Sequence, residues 1–123
     1  MPLLTHEEYR KKNFKAPYAL TLKAGNCVLY YFGEKHSFDP KDKQWAQVKK
    51  LWKEFLKAAP GKKIAFVEGG RRETFPTEKE SIENDGGMGL LTFLASQEWL
   101  KTFSPEPDDA KERMLLEKEF TRD

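Results

Sequence analysis

A run of six consecutive apolar residues, 27–32, sets the first limit on the fold of this chain. The run is too short for a membrane-spanning helix, which needs about 20 apolar residues. Its Val, Tyr and Phe residues favour a β-strand, and its apolar side chains would point to both faces of a sheet. Residues 18–23 alternate β-favouring side chains, and Gly25-Asn26 predicts a turn between the two segments. We therefore expect a hairpin leading into a central strand that helices cover on both faces.

A long amphipathic helix is expected after this strand. Asp39 suits the N-cap position and Pro40 the first helical position, so the helix should run from there to residue 59. Pro60-Gly61 ends it, and residues 64–67 form a second short apolar strand. Apolar residues recur every three or four positions and indicate the buried face of this helix: Trp45, Val48, Trp52, Phe55 and Ala59.

The order strand, helix, strand predicts a βαβ unit with parallel strands. Two Thr-x-x-Glu capping boxes, at Thr5 and Thr77, predict further helix starts. Residues 99–103 are expected to form a third strand, and Asp108 or Asp109 should cap a last helix. The predicted fold class is thus α/β, a largely parallel sheet with a βαβ crossover and flanking helices. We expect residues 1–123 to form a single domain or the N-terminal half of a larger one.

Composition narrows the function classes. The chain has 22 Lys+Arg and 20 Asp+Glu, and a formal charge of +2 does not predict nucleic-acid or membrane binding. The N-terminus has neither the basic start nor the apolar region of a secretory signal, so a cytoplasmic protein is expected. The single cysteine, Cys27, rules out an internal disulfide and is expected to be buried within its apolar run.

Candidate functional residues follow the predicted strands, because ligands bind beyond the carboxyl ends of parallel strands. Glu34 and His36 follow the first strand, Glu68 follows the second, and Glu106 follows the third. Together they could act as general acids and bases, or His36, Glu68 and Glu106 could hold a divalent metal ion. The alternative is structural: Glu68 pairs with Arg71 or Arg72, and His36 is a solvated loop residue.

These elements resemble the erythromycin esterase/ChaN-like and TraB/Tiki superfamily. The likeness rests on Gly33-Glu34-Lys35-His36 after a strand, Phe66-Val67-Glu68 with nearby arginines, residues 87–91, and Glu106-Pro107. The resemblance implies a cleft at the strand ends. Glu34 and His36 match the family's Gly-x-x-His element, while Glu68 and Arg71 match its glutamate and arginine.

What the resemblance implies is a hydrolase-like domain, acting on ester or peptide bonds of small-molecule or peptide substrates and dependent on a metal in some branches. A non-catalytic module that binds a ligand, iron or haem, or a regulatory partner domain, is the alternative. Family members are about twice as long and supply a second histidine motif from their other half. We therefore expect either a missing C-terminal half or self-association into a homo-oligomer.

Overall fold

The computed structural model of the protein describes residues 5–11, 15–58, 61–70, 72–106 and 109–120. The chain divides into two compact units, Met1–Lys35 and His36–Asp123. No helix among these described residues is long and apolar enough to cross a membrane.

The N-terminal unit contains a short helix and a hairpin. Helix α1 spans His6–Lys11, strand β1 spans Tyr18–Ala24 and strand β2 spans Cys27–Gly33. The predicted capping box at Thr5 is confirmed, since the Thr5 backbone N–H donates to Glu8 Oε2 at 2.8 Å and the Glu8 N–H donates to Thr5 Oγ1 at 3.3 Å. The predicted hairpin is also confirmed, and Gly25 turns it with a φ of +57° that a glycine adopts without steric strain.

The predicted burial of β2 is wrong. Every residue of β1 is exposed, Leu29 of β2 is 52% exposed, and Cys27 is exposed as well. Among the described residues, β2 pairs with β1 alone, antiparallel, in a sheet of two strands. β2 has the apolar composition of a central strand, but burial also requires other elements that pack against it. The composition of the strand alone does not show whether such elements are present.

The C-terminal unit contains three helices and a small parallel sheet. Its elements are α2 (Gln44–Lys57), β3 (Ala65–Phe66), α3 (Glu78–Gln97), β4 (Thr102–Phe103) and α4 (Asp109–Phe120). β3 and β4 are parallel, with Ala65 beside Thr102 and Phe66 beside Phe103.

The predicted fold class is therefore wrong. There is no extensive parallel sheet in the part of the chain that the structure describes, only an antiparallel pair and a two-residue parallel pair. The predicted βαβ unit joined β2, α2 and β3, yet β2 and β3 belong to different sheets. The parallel pair instead connects β3 and β4, with α3 between them in the chain. The local sequence indicated where strands and helices lie but not which strands pair, because strand pairing depends on contacts between residues that are distant in the chain.

Asp39 starts a turn rather than α2. Its carboxylate Oδ1 accepts from the Lys41 N–H at 2.9 Å, and its carbonyl oxygen accepts from the indole N–H of Trp45 at 2.7 Å. The helix begins later, at Gln44, whose N–H donates to Asp42 Oδ1 at 3.0 Å. The Asp-Pro signal was correct about a chain reversal but placed the helix start too early.

The core of the C-terminal unit forms where α2 and α3 meet the inner face of β3. Trp52, Ala65 and Ala95 form a buried cluster, against which partly buried leucines and Phe55 pack. The predicted core positions Trp45 and Trp52 are confirmed, with 2% and 8% exposure. An ion pair of 2.9 Å between Lys49 and Glu78 joins α2 to α3 at the surface. Burial of these apolar side chains supplies the main stabilisation of this unit.

Helix α3 is interrupted once. The predicted Thr77 cap is confirmed by a 3.2 Å hydrogen bond from the Glu80 N–H to Thr77 Oγ1. The helix kinks at Gly86, which has φ 60° and ψ −139°. After α3, Trp99 has a φ of +57° and is 96% exposed. The 2.9 Å hydrogen bond from the Leu100 N–H to the Ala95 carbonyl oxygen closes this helix end, at a position where glycine is usual.

Candidate functional site

The carboxyl ends of β3 and β4 bring together two segments that are far apart in the sequence. The strands are parallel, so the residues after both of them emerge at the same edge. The Val67 N–H donates to the Phe103 carbonyl oxygen at 2.8 Å and extends the ladder to this edge. Glu68 is the second residue after β3, and Ser104 follows β4 directly.

Two glycine amides then bind side chains from the segment after β4. The Gly69 N–H donates to Glu106 Oε2 at 3.0 Å, and the Gly70 N–H donates to Ser104 Oγ at 2.9 Å. Ser104 Oγ also accepts from the Glu106 N–H at 3.2 Å. We call Glu68, Gly69, Gly70, Ser104 and Glu106 the strand-end site. These hydrogen bonds hold one carboxylate oxygen of Glu106, an exposed residue, beside Gly69.

The two glycines have positive φ values, +78° for Gly69 and +86° for Gly70. Side chains rarely adopt this conformation, and a Cβ at Gly69 would overlap the guanidinium of Arg72. The backbone conformation therefore favours glycine at position 69, and any other residue would also displace the end of the Arg72 side chain.

Arg72 links the strand-end site to the kinked part of α3. Its Nη1 lies 3.5 Å from Asp85 Oδ1, and its Nη2 donates to the Glu68 carbonyl oxygen at 3.4 Å and contacts Met88 Sδ at 3.3 Å. Both partners of the ion pair are partly buried, with side chains 24% and 20% exposed. Arg72 Nε is buried and has no hydrogen-bond partner among the described residues. A positive charge therefore lies beside the turn that carries Glu68.

The structure brings together only some of the predicted site residues. Glu68 and Glu106 follow neighbouring parallel strands, and Glu106 accepts a hydrogen bond from the amide of the residue after Glu68. Glu34 follows β2 in the N-terminal unit, and His36 is an exposed residue in the segment before α2. The expected proximity of His36 to Glu68 assumed that β2 and β3 were neighbours in one parallel sheet, and that reason no longer holds.

The remaining predictions concern the metal ion and Arg71. Among the residues that the structure describes, no three or more His, Cys, Asp or Glu side chains are grouped so that they could hold a metal ion. The predicted ligands His36, Glu68 and Glu106 thus do not form such a group in this conformation. Arg71 lies outside the described residues, so its predicted role stays a prediction.

Two residues of this region were missed as site residues. Neither Ser104 nor Asp85 is among the residues that the sequence analysis predicted for the site. A hydroxyl directly after a strand, opposite a Gly-Gly turn after another strand, is the signal that could have found Ser104. No comparable local signal identifies Asp85, because its partner Arg72 precedes α3 and Asp85 lies beside the kink within it.

No protein-family model matches the chain, and no curated protein or solved structure shows significant similarity to it. The functional argument therefore depends on the geometry of the strand-end site and on the residues of the sequence.

Proposed function

We propose that the C-terminal unit carries a hydrolase-type site at the strand-end site, with Glu106 and Glu68 as its acid–base carboxylates. The observation that carries this proposal is the 3.0 Å hydrogen bond from the Gly69 N–H to Glu106 Oε2. It orients a carboxylate whose residue remains exposed to solvent and substrate. An oriented and exposed carboxylate at the carboxyl edge of a parallel pair is available to act as a general base on a substrate or water that comes within hydrogen-bond reach.

The proposed reaction is hydrolysis of an ester or peptide bond. The Glu106 oxygen that Gly69 does not bind accepts a proton from a water molecule, and the water oxygen bonds to the carbonyl carbon. The carbon–oxygen or carbon–nitrogen bond of the substrate then breaks, and the proton passes to the leaving group. Glu68, exposed at the end of the neighbouring strand, is the second carboxylate available for this transfer.

Negative charge that develops on the carbonyl oxygen requires a positive or hydrogen-bonding group. The resemblance assigns this role to Arg71. Arg72 is the arginine described beside Glu68, and its pairing with Asp85 at 3.5 Å is long for a strong ion pair. Arg72 is therefore the second candidate for the oxyanion-stabilising group.

A metal-dependent version of the same site would use His36 together with a divalent metal ion. His36, Glu68 and Glu106 would have to approach one another to share a metal ion, which requires a rearrangement of the segment before α2. Glu34 remains a predicted acid–base residue on the resemblance alone.

A non-catalytic ligand-binding module is the alternative, and one observation favours it. The amides of Gly69 and Gly70 are already engaged by Glu106 and Ser104. Neither amide is therefore available to stabilise an oxyanion while these contacts persist. A module that only binds a ligand does not need that stabilisation.

The test is a turnover screen with para-nitrophenyl esters and fluorogenic peptides, each with and without added Zn²⁺ or Mn²⁺. Removal of a general base lowers rates by about 10²–10⁴-fold, so Glu106→Gln should lower kcat/KM by at least about 100-fold. Glu68→Gln should lower it as well. The matched control is Glu98→Gln, an exposed glutamate at the opposite end of α3, which should leave the rate unchanged.

The outcomes separate the alternatives. Turnover that survives both Glu106→Gln and Glu68→Gln contradicts the proposed roles. A folded chain without turnover, in which an added substrate still shifts the amide resonances of Gly69 and Gly70, favours the ligand-binding module. A rate that depends on added metal and falls in His36→Ala would restore the predicted metal ligands.

A further inference from the structure

One face of the β1–β2 hairpin is entirely uncharged. The strand register places Leu20 beside Tyr31, Leu22 beside Leu29, and Tyr18 beside Gly33. Because side chains alternate across a strand, these pairs lie on the same face. We call this surface the hairpin face, and its residues are Tyr18, Leu20, Leu22, Ala24, Cys27, Leu29, Tyr31 and Gly33.

The other face of the same hairpin is more polar. It carries Thr21 and Lys23, together with the apolar residues Ala19, Val28, Tyr30 and Phe32. Lys23 is the one charged side chain among the paired residues of the hairpin, and Tyr30 and Phe32 are partly buried. The hairpin face is therefore the uncharged and more exposed face, and an exposed apolar face of a sheet packs against another apolar surface.

The large side chains of the hairpin face are strongly exposed. Leu22 is 56% exposed, Leu29 52% and Tyr31 44%. Tyr18 and Leu20 are 40% and 37% exposed. A contiguous apolar surface of this kind indicates an interaction site, whereas single exposed apolar residues do not.

Part of the hairpin face is already ordered for packing. The rings of Tyr18 and Tyr31 lie 5.7 Å apart, and the Tyr18 ring covers the Cα of Gly33, where a Cβ would overlap it. Tyrosines held in this way lose little further conformational freedom on binding. They would form the aromatic part of an interface.

We propose that the hairpin face is a dimer interface and that its occupant is the hairpin face of a second copy of this chain. The five large side chains expose on the order of 500 Å² per copy, so complete face-to-face burial removes about 1,000 Å² from solvent in total, the size of a weak interface.

Charge does not oppose a second copy as the partner. The hairpin face has no charged side chain, so a two-fold arrangement opposes no like charges. The net charge of +2 gives little repulsion between whole chains. A fully apolar face also resembles homodimer interfaces, which are more apolar than those of transient heteromeric complexes.

The test is sedimentation equilibrium of the full chain over about 5–200 μM, concentrations that bracket the micromolar affinities of weak interfaces. We expect a concentration-dependent shift from one chain to two. Leu22→Lys places a charge in the interface and should raise the dissociation constant at least about tenfold. Thr21→Lys is the matched control, because it adds the same charge to the same strand on the opposite face and should leave association unchanged.

A second measurement does not depend on a substitution. A spin label on Cys27, the single cysteine, lies on the hairpin face and should show dipolar broadening that disappears when unlabelled chain is added in excess. A chain that stays monomeric over the whole range overturns the proposal. Equal weakening by Leu22→Lys and Thr21→Lys, with circular dichroism showing that both variants fold, also overturns it. The readout is independent of catalysis, so it does not depend on the proposed hydrolase activity.

Discussion

The two units of this chain use apolar residues in different ways. In the C-terminal unit, Trp52, Ala65 and Ala95 come from three different elements and are buried against one another. In the N-terminal unit, β1 and β2 form a continuous seven-pair ladder, yet most of their side chains remain exposed and none of their apolar residues is fully buried. Backbone hydrogen bonds hold the hairpin, whereas side-chain packing holds the helical unit. The comparison shows that an apolar strand can be fully paired with its neighbour while its side chains stay at least partly exposed.

The largest expected difference between the two units is in the free energy of unfolding that is lost when an apolar side chain is truncated. Trp52→Ala should lower the free energy of unfolding by about 3–5 kcal/mol, because it removes the largest side chain of the core cluster. Val28→Ala on the hairpin should lower it by less than about 1 kcal/mol, because Val28 is 38% exposed. Urea denaturation followed by circular dichroism measures both. Similar losses would show that the hairpin has a core of its own.

Two glycine-to-alanine substitutions compare the stability of the two units in a second way. A Cβ at Gly89 in α3 would overlap the Ser81 carbonyl oxygen and approach Asp85 Cβ, so Gly89→Ala should destabilise the chain by about 1–3 kcal/mol. A Cβ at Gly25 meets open space, and only its φ of +57° opposes Gly25→Ala, by about 1 kcal/mol. Thermal denaturation of both variants shows which substitution is more destabilising. A larger effect at Gly25 would mean that the turn, not the close packing along α3, limits stability.

The two capping boxes offer a comparison between identical motifs. Thr77→Ala removes the cap of a 20-residue helix that packs in the core, and should lower the free energy of unfolding by about 1 kcal/mol. Thr5→Ala removes the cap of a six-residue helix, α1, and should reduce helicity without a resolvable change in global unfolding. Backbone carbon chemical shifts report the helicity of α1, and denaturant midpoints report stability. Threonine-to-serine variants of both sites should behave as wild type.

The smallest expected effect is a change in one pKa. Hydrogen bonds from the Thr5 backbone N–H, and then from its hydroxyl, lower the pKa of Glu8 below its ordinary value. A lowered carboxyl pKa favours the folded cap above the unfolded-state pKa, and this contribution disappears as pH falls through the lowered value. Thr5→Ala leaves the backbone donor, so the pKa should rise only part of the way, whereas Thr5→Ser should leave it lowered. Carbon-detected NMR titration of the side-chain carboxyl measures the shift, and an unchanged pKa in Thr5→Ala would show that the hydroxyl does not contribute.

Local signals in the sequence predicted local structure well. The capping boxes at Thr5 and Thr77, the turn at Gly25 and the core positions Trp45 and Trp52 were all predicted and are confirmed. Each depends on residues within a few positions of one another, or on a periodicity along one helix. The residues that make up each signal are separated in the sequence by about one helical turn.

Strand pairing could not be predicted in the same way. The interpretation placed β2 beside β3, but β3 pairs with β4, about 37 residues further along the chain. The same pairing brings Glu106 to Gly69, and so created the part of the candidate site that the strand-end rule found. Glu34 and His36 were assigned through β2, and the pairing that would have brought them to this edge is not the one observed.

Trp99 also gives the chain an optical probe at one position. Trp45 and Trp52 are buried, whereas the indole of Trp99 is 96% exposed at the end of α3. Its emission should therefore be red-shifted and open to collisional quenching by acrylamide, while the emission of the two buried indoles should be blue-shifted and protected. Subtracting the spectrum of Trp99→Phe from that of the wild type would isolate the signal of a single site beside β4. That signal would report on molecules that approach the amino end of the parallel pair, without any added dye.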